Sequence, residues 1–272
     1  MKATLLTLYF IFLTSCASYK NYRQIKEASF DGLKYESLDR YDEKRLAKLK
    51  QKKSPLSLCH LGEFDEAHSI YKKHVDKKIN DYRYWNEIST CYILEKKYTQ
   101  AKSFLDLALS RAKSNYQKSI ILNNLGVVYM ENDNFKEAKE YFKESIKLSN
   151  KYLTPKYNLT QIYLKFGLYQ KAGDNLEHLL RANPRDVDFL NGKAHLELMQ
   201  QRYQSALVYF NKIPAQYRGR DDIATNMAMT YFMLGLYENA QQSINNSDKE
   251  ITYYVNAQVD IEKKIEKLTG KK

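Results

Sequence analysis

LGVVYMENDNFKEAKEYF, residues 125–142, is the stretch that decides the fold. Its Ala138 belongs to a column that runs the length of the chain: Ala67, Ala101, Ala138, Ala172, Ala206 and Ala240, at steps of 34, 37, 34, 34 and 34 residues. Three residues before each alanine stands an aromatic: Phe64, Tyr98, Phe135, Tyr169, Tyr203 and Tyr237. Nine residues before five of them come Tyr92, Tyr129, Tyr163, Glu197 and Tyr231. Four residues after them come Tyr71, Leu105, Phe142, Leu176, Phe210 and Ile244. Self-similarity at such a period is the signature of a repeat architecture. Composition agrees. The 272 residues contain only 9 Gly and 4 Pro, too little turn chemistry for an all-β sandwich or barrel. With 43% hydrophobic and 13% aromatic residues the chain can bury a core, which excludes intrinsic disorder.

The columns resemble the tetratricopeptide repeat, a helix–turn–helix unit with the pattern W-x2-L-G-x2-Y, then A-x3-F, then P. The match is fullest at Leu125-Gly126-x2-Tyr129 with Ala138-x3-Phe142, and Trp85 opens the repeat of Tyr92 and Ala101. Pro155, Pro184 and Pro214 stand at junctions, where the roughly 3 kcal/mol cost of an interior proline is avoided. The resemblance implies an all-α solenoid of about six repeats over residues 48–254. In it Ala fits where two helices cross closely, and neighbours stack because no repeat buries its apolar face alone. Pro55 should break or shorten the first helix of the first repeat, and the insertion near Asn115–Lys118 should lengthen a connection. Val255, Val259, Ile261, Ile265 and Leu268 give an apolar face to a charged helix from Ile251 to Leu268, matching the family's capping helix.

The N-terminus reads MKATLLTLYFIFLTSC. Lys2 and the apolar run Ala3–Leu13 have the proportions of a secretory signal peptide and are too short to span a bilayer. Leu13-Thr14-Ser15-Cys16 resembles the lipobox of bacterial lipoproteins. That resemblance implies cleavage before Cys16, its acylation, and anchoring by several chains together. Ala17, where an Asp would imply inner-membrane retention, points to the outer membrane. The expected organisation is a signal peptide over 1–15, a lipidated terminus and tether over 16–40, the solenoid over 41–254 and a capping helix with tail over 255–272. An excess of 44 Lys and Arg over 32 Asp and Glu, net +12, would ordinarily suggest nucleic acid, but an exported lipoprotein does not meet chromosomes. The basic run Lys44–Lys53 either touches anionic head groups or is a solvated helix face.

No phosphate-binding loop, dinucleotide fingerprint, zincin motif or nucleophile elbow is present, so no enzyme, cofactor or small-molecule substrate is expected. The histidines at 60, 68, 74, 178 and 195 read as surface residues, because His68 and His74, six apart, lie on opposite sides of a helix. Cys59 and Cys91 fall in first helices of adjacent repeats. A bridge is left open, but packed helix axes run about 8–10 Å apart and a disulfide needs Cα atoms within about 7 Å. In the family, first helices line a concave groove, and here they carry Asn86, Asn123, Asn124, Asn158, Asn191 and Asn226. Asparagine offers donor and acceptor together, so such a row pairs with the backbone of an extended peptide. Met130, Leu164, Leu198, Met199, Met229, Phe232 and Met233 would add an apolar strip beside it.

The expectation is a non-enzymatic scaffold, lipid-anchored on the periplasmic face of the outer membrane, that holds a protein segment in its groove. Its architecture looks like the pilotin-type lipoproteins of type IV and Tad pilus systems, which assist secretin assembly. Alternatives are an adaptor for outer-membrane-protein assembly or peptidoglycan hydrolases, and a surface motility or adhesion scaffold.

Overall fold

The alanine column falls inside helices, and each aromatic three residues earlier begins one. The computed structural model describes residues 54–60, 62–249 and 252–270, and all regular structure among them is helical. The expected signal peptide and tether, Cys16 and the Lys44–Lys53 run lie outside the described residues. Six helix pairs follow one another: α1 (Pro55–His60) with α2 (Phe64–Lys78), α3 (Tyr82–Leu94) with α4 (Tyr98–Arg111), and α5 (Asn115–Glu131) with α6 (Phe135–Leu148). Next come α7 (Thr154–Lys165) with α8 (Tyr169–Ala182), α9 (Val187–Met199) with α10 (Tyr203–Asn211), and α11 (Asp221–Met233) with α12 (Tyr237–Asn245). A 3-10 turn, Ala215–Tyr217, precedes α11, and α13 (Thr252–Thr269) ends the array. The chain divides into two compact units between residues 159 and 160, within α7.

Every first helix ends the same way. The residue two before each aromatic is left-handed: Gly62, Lys96, Asp133, Gly167, Gln201 and Gly235, with φ between 57° and 82°. The next N–H then reaches back to a carbonyl of the last turn, as Lys97 does to Tyr92 and Asn134 to Tyr129, at 2.8 and 2.9 Å. This six-to-one closure satisfies carbonyls that the helix end would otherwise orphan, and it aims the chain into the second helix.

The two helices of a pair are buried differently. In α6 only Ala138, Phe142 and Ser145 are buried, a single stripe at spacings of four and three. In α5 every residue from Ser119 to Val128 is buried, so the helix is enclosed on all sides. All six column alanines are fully buried, as are Leu105, Phe142, Leu176 and Phe210. Burying each of those large side chains contributes about 1.5–3 kcal/mol. Gly126 shows how tight the crossing is: a Cβ there would lie 2.5 Å from the Phe142 ring.

Pro55 does shorten the first helix: α1 has six residues and Pro55 is its first, where a missing N–H costs nothing. The insertion near Asn115 lengthens a helix and not a connection, since α5 has 17 residues against 13 in α3. Ser114 and Gln117 form a reciprocal cap that captures the extra turn as helix. The capping helix buries Tyr254, Ala257, Gln258, Ile261 and Ile265 and leaves Val259 and Leu268 exposed, a rotation from the expected face. Gln258 accounts for it. Its amide donates to Thr225 Oγ1 at 2.9 Å and Ser247 Oγ at 2.8 Å, which turns the helix toward that polar anchor.

Candidate functional site

The asparagines of the first unit form a row inside the protein. Asn124 Nδ2 donates to Asn86 Oδ1 at 2.9 Å, Asn123 Nδ2 to Asn124 Oδ1 at 3.2 Å, and Asn158 Nδ2 to Asn123 Oδ1 at 2.9 Å. Asn86 is 1% exposed and the other three are fully buried. An amide carries donor and acceptor on one side chain, so a row of them hands hydrogen bonds from helix to helix without any charge. Asn158 Oδ1 ends the row, with no hydrogen-bond partner among the described residues.

The second unit uses charges for the same task. Arg220 donates from Nη1 to Asp188 Oδ1 at 3.0 Å, and from Nη2 and Nε to the two Asp222 oxygens at 2.9 and 3.1 Å. Asn191 donates to Asp222 Oδ2 at 2.8 Å, and Asn226 to Asn191 Oδ1 at 3.4 Å. Asp221 accepts from Ser247 Oγ at 2.6 Å and the Lys249 N–H at 2.7 Å, which ties the approach to α13 onto α11. Burial and the Asp221 charge push the Asp248 carboxyl up, Arg220 opposes, and Asp222 adds to the rise. Glu197, which replaces the Tyr of other repeats, is held by Lys193 at 3.0 Å and Arg202 at 2.5 Å. Burial alone would raise its carboxyl, but the Arg202 and Lys193 hydrogen bonds outweigh that and hold it below the ordinary range.

The expectation that Asn86, Asn123, Asn124, Asn158, Asn191 and Asn226 face an open groove is therefore corrected. They are buried and bonded to their neighbours, and an incoming backbone would have to displace those bonds. Met130, Leu164, Leu198 and Met229 are buried as well, while Met199, Phe232 and Met233 are half-buried and Phe232 packs against Tyr237 at 5.7 Å. His195 is buried, contrary to its reading as a surface residue. His68 is half-buried, stacked on Tyr92 at 4.4 Å and 3.1 Å from Glu95. Cys59 and Cys91 are joined, with Cα atoms 5.2 Å apart and both residues buried. Two small cysteine side chains meet there, and the six-residue α1 can be drawn closer to α3 than axes spaced by larger side chains.

Residues that the sequence reading passed over carry much of the electrostatics. Asp186 and Arg220 are 34 residues apart, as are Asp188 and Asp222, so the repeat period itself flags them. Glu87 is pushed up to about 7 by burial and by Asp81, against Lys78 and Arg83. Glu131 rises to about 7 through burial, with the Tyr98 hydroxyl and Lys96 opposing and Asp133 adding.

The family profile described as tetratricopeptide repeat matches residues 82–115, 119–152 and 157–221. Among curated relatives, the BBSome complex member BBS4 of Bos taurus is 22% identical over 176 residues, 65% of this chain. The chain spans about a third of that protein's length, 33%. Among solved structures, a chain of the APC/C hetero-tetramer Cut9-Hcn1 superposes with a TM-score of 0.65 at 16% identity, covering 84% of this chain and 44% of its own. PilW, a widely conserved type IV pilus biogenesis factor, superposes with a TM-score of 0.61 at 15% identity, over 79% of this chain and 99% of its own. At such identities these likenesses show the fold alone.

Proposed function

Residues 82–115, 119–152 and 157–221 are tetratricopeptide repeats, and from that premise we propose that the chain is a non-enzymatic protein-interaction scaffold at the bacterial outer membrane. It is lipid-anchored at Cys16, faces the periplasm, and assists assembly of an envelope machine of the pilus or secretin kind. The observation that carries this reading is the Cys59–Cys91 disulfide within a repeat array. Disulfides persist in oxidising compartments and are rare where thiols are kept reduced, which agrees with export directed by the lipobox-like start. The likeness to PilW supports the pilus branch of the reading. A scaffold also needs a stiff interior, and the buried polar rows fix the register of successive first helices at no cost to the outer surface.

Changing Cys16 to Ser tests the anchor. The variant should lose labelled palmitate and leave the outer-membrane fraction. A variant that fractionates with the outer membrane as wild type does would overturn the lipoprotein reading. Crosslinking in native membranes should then recover pilus or secretin components with wild type. Protease digestion of intact cells separates the periplasmic orientation from a surface scaffold.

A further inference from the structure

Where α2, α4 and α5 end or begin, the first unit has a cleft of about 420 Å³. Four cations line it: Lys77 and Lys78 from the last turn of α2, Arg111 from the last turn of α4, and Lys113 from the loop before α5. Its carboxylates are Asp76 and Asp81, and Asp81 is engaged in capping α3 through the Arg83 N–H at 3.0 Å. Among the described residues no carboxylate lies within 4.0 Å of the Lys77, Lys78 or Lys113 ammonium groups, whereas Lys97, Lys102, Lys143 and Lys193 are paired. The walls are pinned. Trp85 Nε1 donates to the Ile79 carbonyl at 2.8 Å, and the Lys113 and Ser114 N–H groups donate to Gln117 Oε1 at 2.6 and 3.2 Å.

Lys77, Lys78 and Arg111 also suit the negative ends of α2 and α4, so helix chemistry alone accounts for their presence. It does not account for Lys113. That side chain stands just before the positive end of α5, whose first turn has no acidic residue. A cation there is unfavourable for the helix itself, so its place in the cleft points to an anion supplied from outside.

We propose that this cleft docks an acidic segment of a protein partner, its carboxylates meeting Lys77 and Lys78 on one wall and Arg111 and Lys113 on the other. The proposal rests on the scaffold reading and names the chemistry of the segment held. The cations stand on walls from consecutive repeats, Lys77, Lys78 and Lys113 exposed and Arg111 half-buried, so a chain laid between the walls can meet all four. A net charge of +12 steers acidic partners toward the cleft.

The test uses the full chain and a fluorescein-labelled decapeptide alternating Glu and Ser, read by anisotropy at low and physiological ionic strength. Lys77→Glu combined with Lys113→Glu should weaken binding by about tenfold or more. Lys263→Glu combined with Lys267→Glu on α13, an equal change in net charge, should weaken it by less than about twofold. Helicity should be unchanged in both. Equal losses in the two variants would overturn the cleft in favour of general charge attraction. Binding of phosphatidylglycerol–phosphatidylcholine vesicles through the same lysines, with the peptide unbound, would overturn it in favour of membrane contact. Peptide displacement by millimolar inorganic phosphate would reduce it to an anion site. Native-membrane crosslinking separates the two readings. A cleft variant that still crosslinks to the wild-type partners overturns this proposal alone, whereas a wild type that crosslinks to none overturns the scaffold.

Discussion

The two units solve one problem with different chemistry. Up to residue 159 the first helices α3, α5 and α7 are tied by amides, Asn86, Asn124, Asn123 and Asn158 in a neutral row. From residue 160 onward they are tied by Arg220 between Asp188 and Asp222, with Asn191 and Asn226 appended. A neutral amide costs little to desolvate once bonded, and losing one member orphans only a donor or an acceptor. A buried guanidinium between two carboxylates requires all three ions to be present, because a survivor is left charged in a medium that cannot hydrate it. Equal positions in a repeat thus carry unequal penalties when disturbed.

That inequality predicts the largest effect. Arg220→Ala should destabilise the second unit by about 3–5 kcal/mol, since it leaves two carboxylates buried without their cation. Asn124→Ala should cost the first unit about 1–3 kcal/mol, the penalty of orphaned amide groups. Repeat arrays lose cooperativity between regions, so the readout is hydrogen-exchange protection in α9 and α11 against that in α3 and α5. If Asn124→Ala costs as much as Arg220→Ala, the contrast between amide and ionic rows collapses.

How much of this the sequence disclosed follows from what periodicity can encode. Spacing located every second helix, because Ala138 and its equivalents must fit a close crossing whatever surrounds them. Spacing also found the asparagines, but it could not say that they face one another. A first helix presents the same alternation of Asn, Leu and Met whether a groove lies open beside it or neighbouring helices close over it. Asp188 and Asp222 were visible as a 34-residue pair, and only the fold shows Arg220 between them. The disulfide stayed undecided for a similar reason: helix separation depends on the side chains between axes, and six-residue α1 is free of the usual spacing.

Acidity should act differently on α3 and α5 than on α9. Glu87 and Glu131 have carboxyls raised from an ordinary 4.5 to about 7. Folding therefore favours their neutral forms, and this contribution is present below about 4.5 and lost as pH rises to about 7. Glu197 is the reverse, held low by Arg202 and Lys193, so its contribution is present above the ordinary carboxyl range and lost as pH falls through its folded value. Acidification from neutral pH to about 5 should raise exchange protection in α3 and α5 and leave α9 unchanged. Glu87→Gln with Glu131→Gln should flatten the first unit's dependence. A common slope in both units would show that these carboxyls do not govern it.

The smallest effect sits in the turns, where each unit has an exposed left-handed residue that is not glycine. Lys96 in the first and Gln201 in the second have φ of 61° and 60°. That conformation costs a residue with a Cβ about 1–2 kcal/mol, and glycine returns about 0.5–1 kcal/mol of it in chain entropy. Gln201→Gly should therefore stabilise by about 0.5–1 kcal/mol, raising Tm by about 1–4 °C. Lys96→Gly relieves the same strain but also removes a cation that lowers the Glu131 carboxyl. Below about pH 5, where Glu131 is neutral, the two substitutions should gain equally. Above pH 8 the ionised Glu131 misses Lys96, and the Lys96 variant should gain less. Thermal melts of both variants at the two pH values decide it. A destabilising Gln201→Gly would mean that its side chain holds the turn by contacts the backbone angle does not reveal.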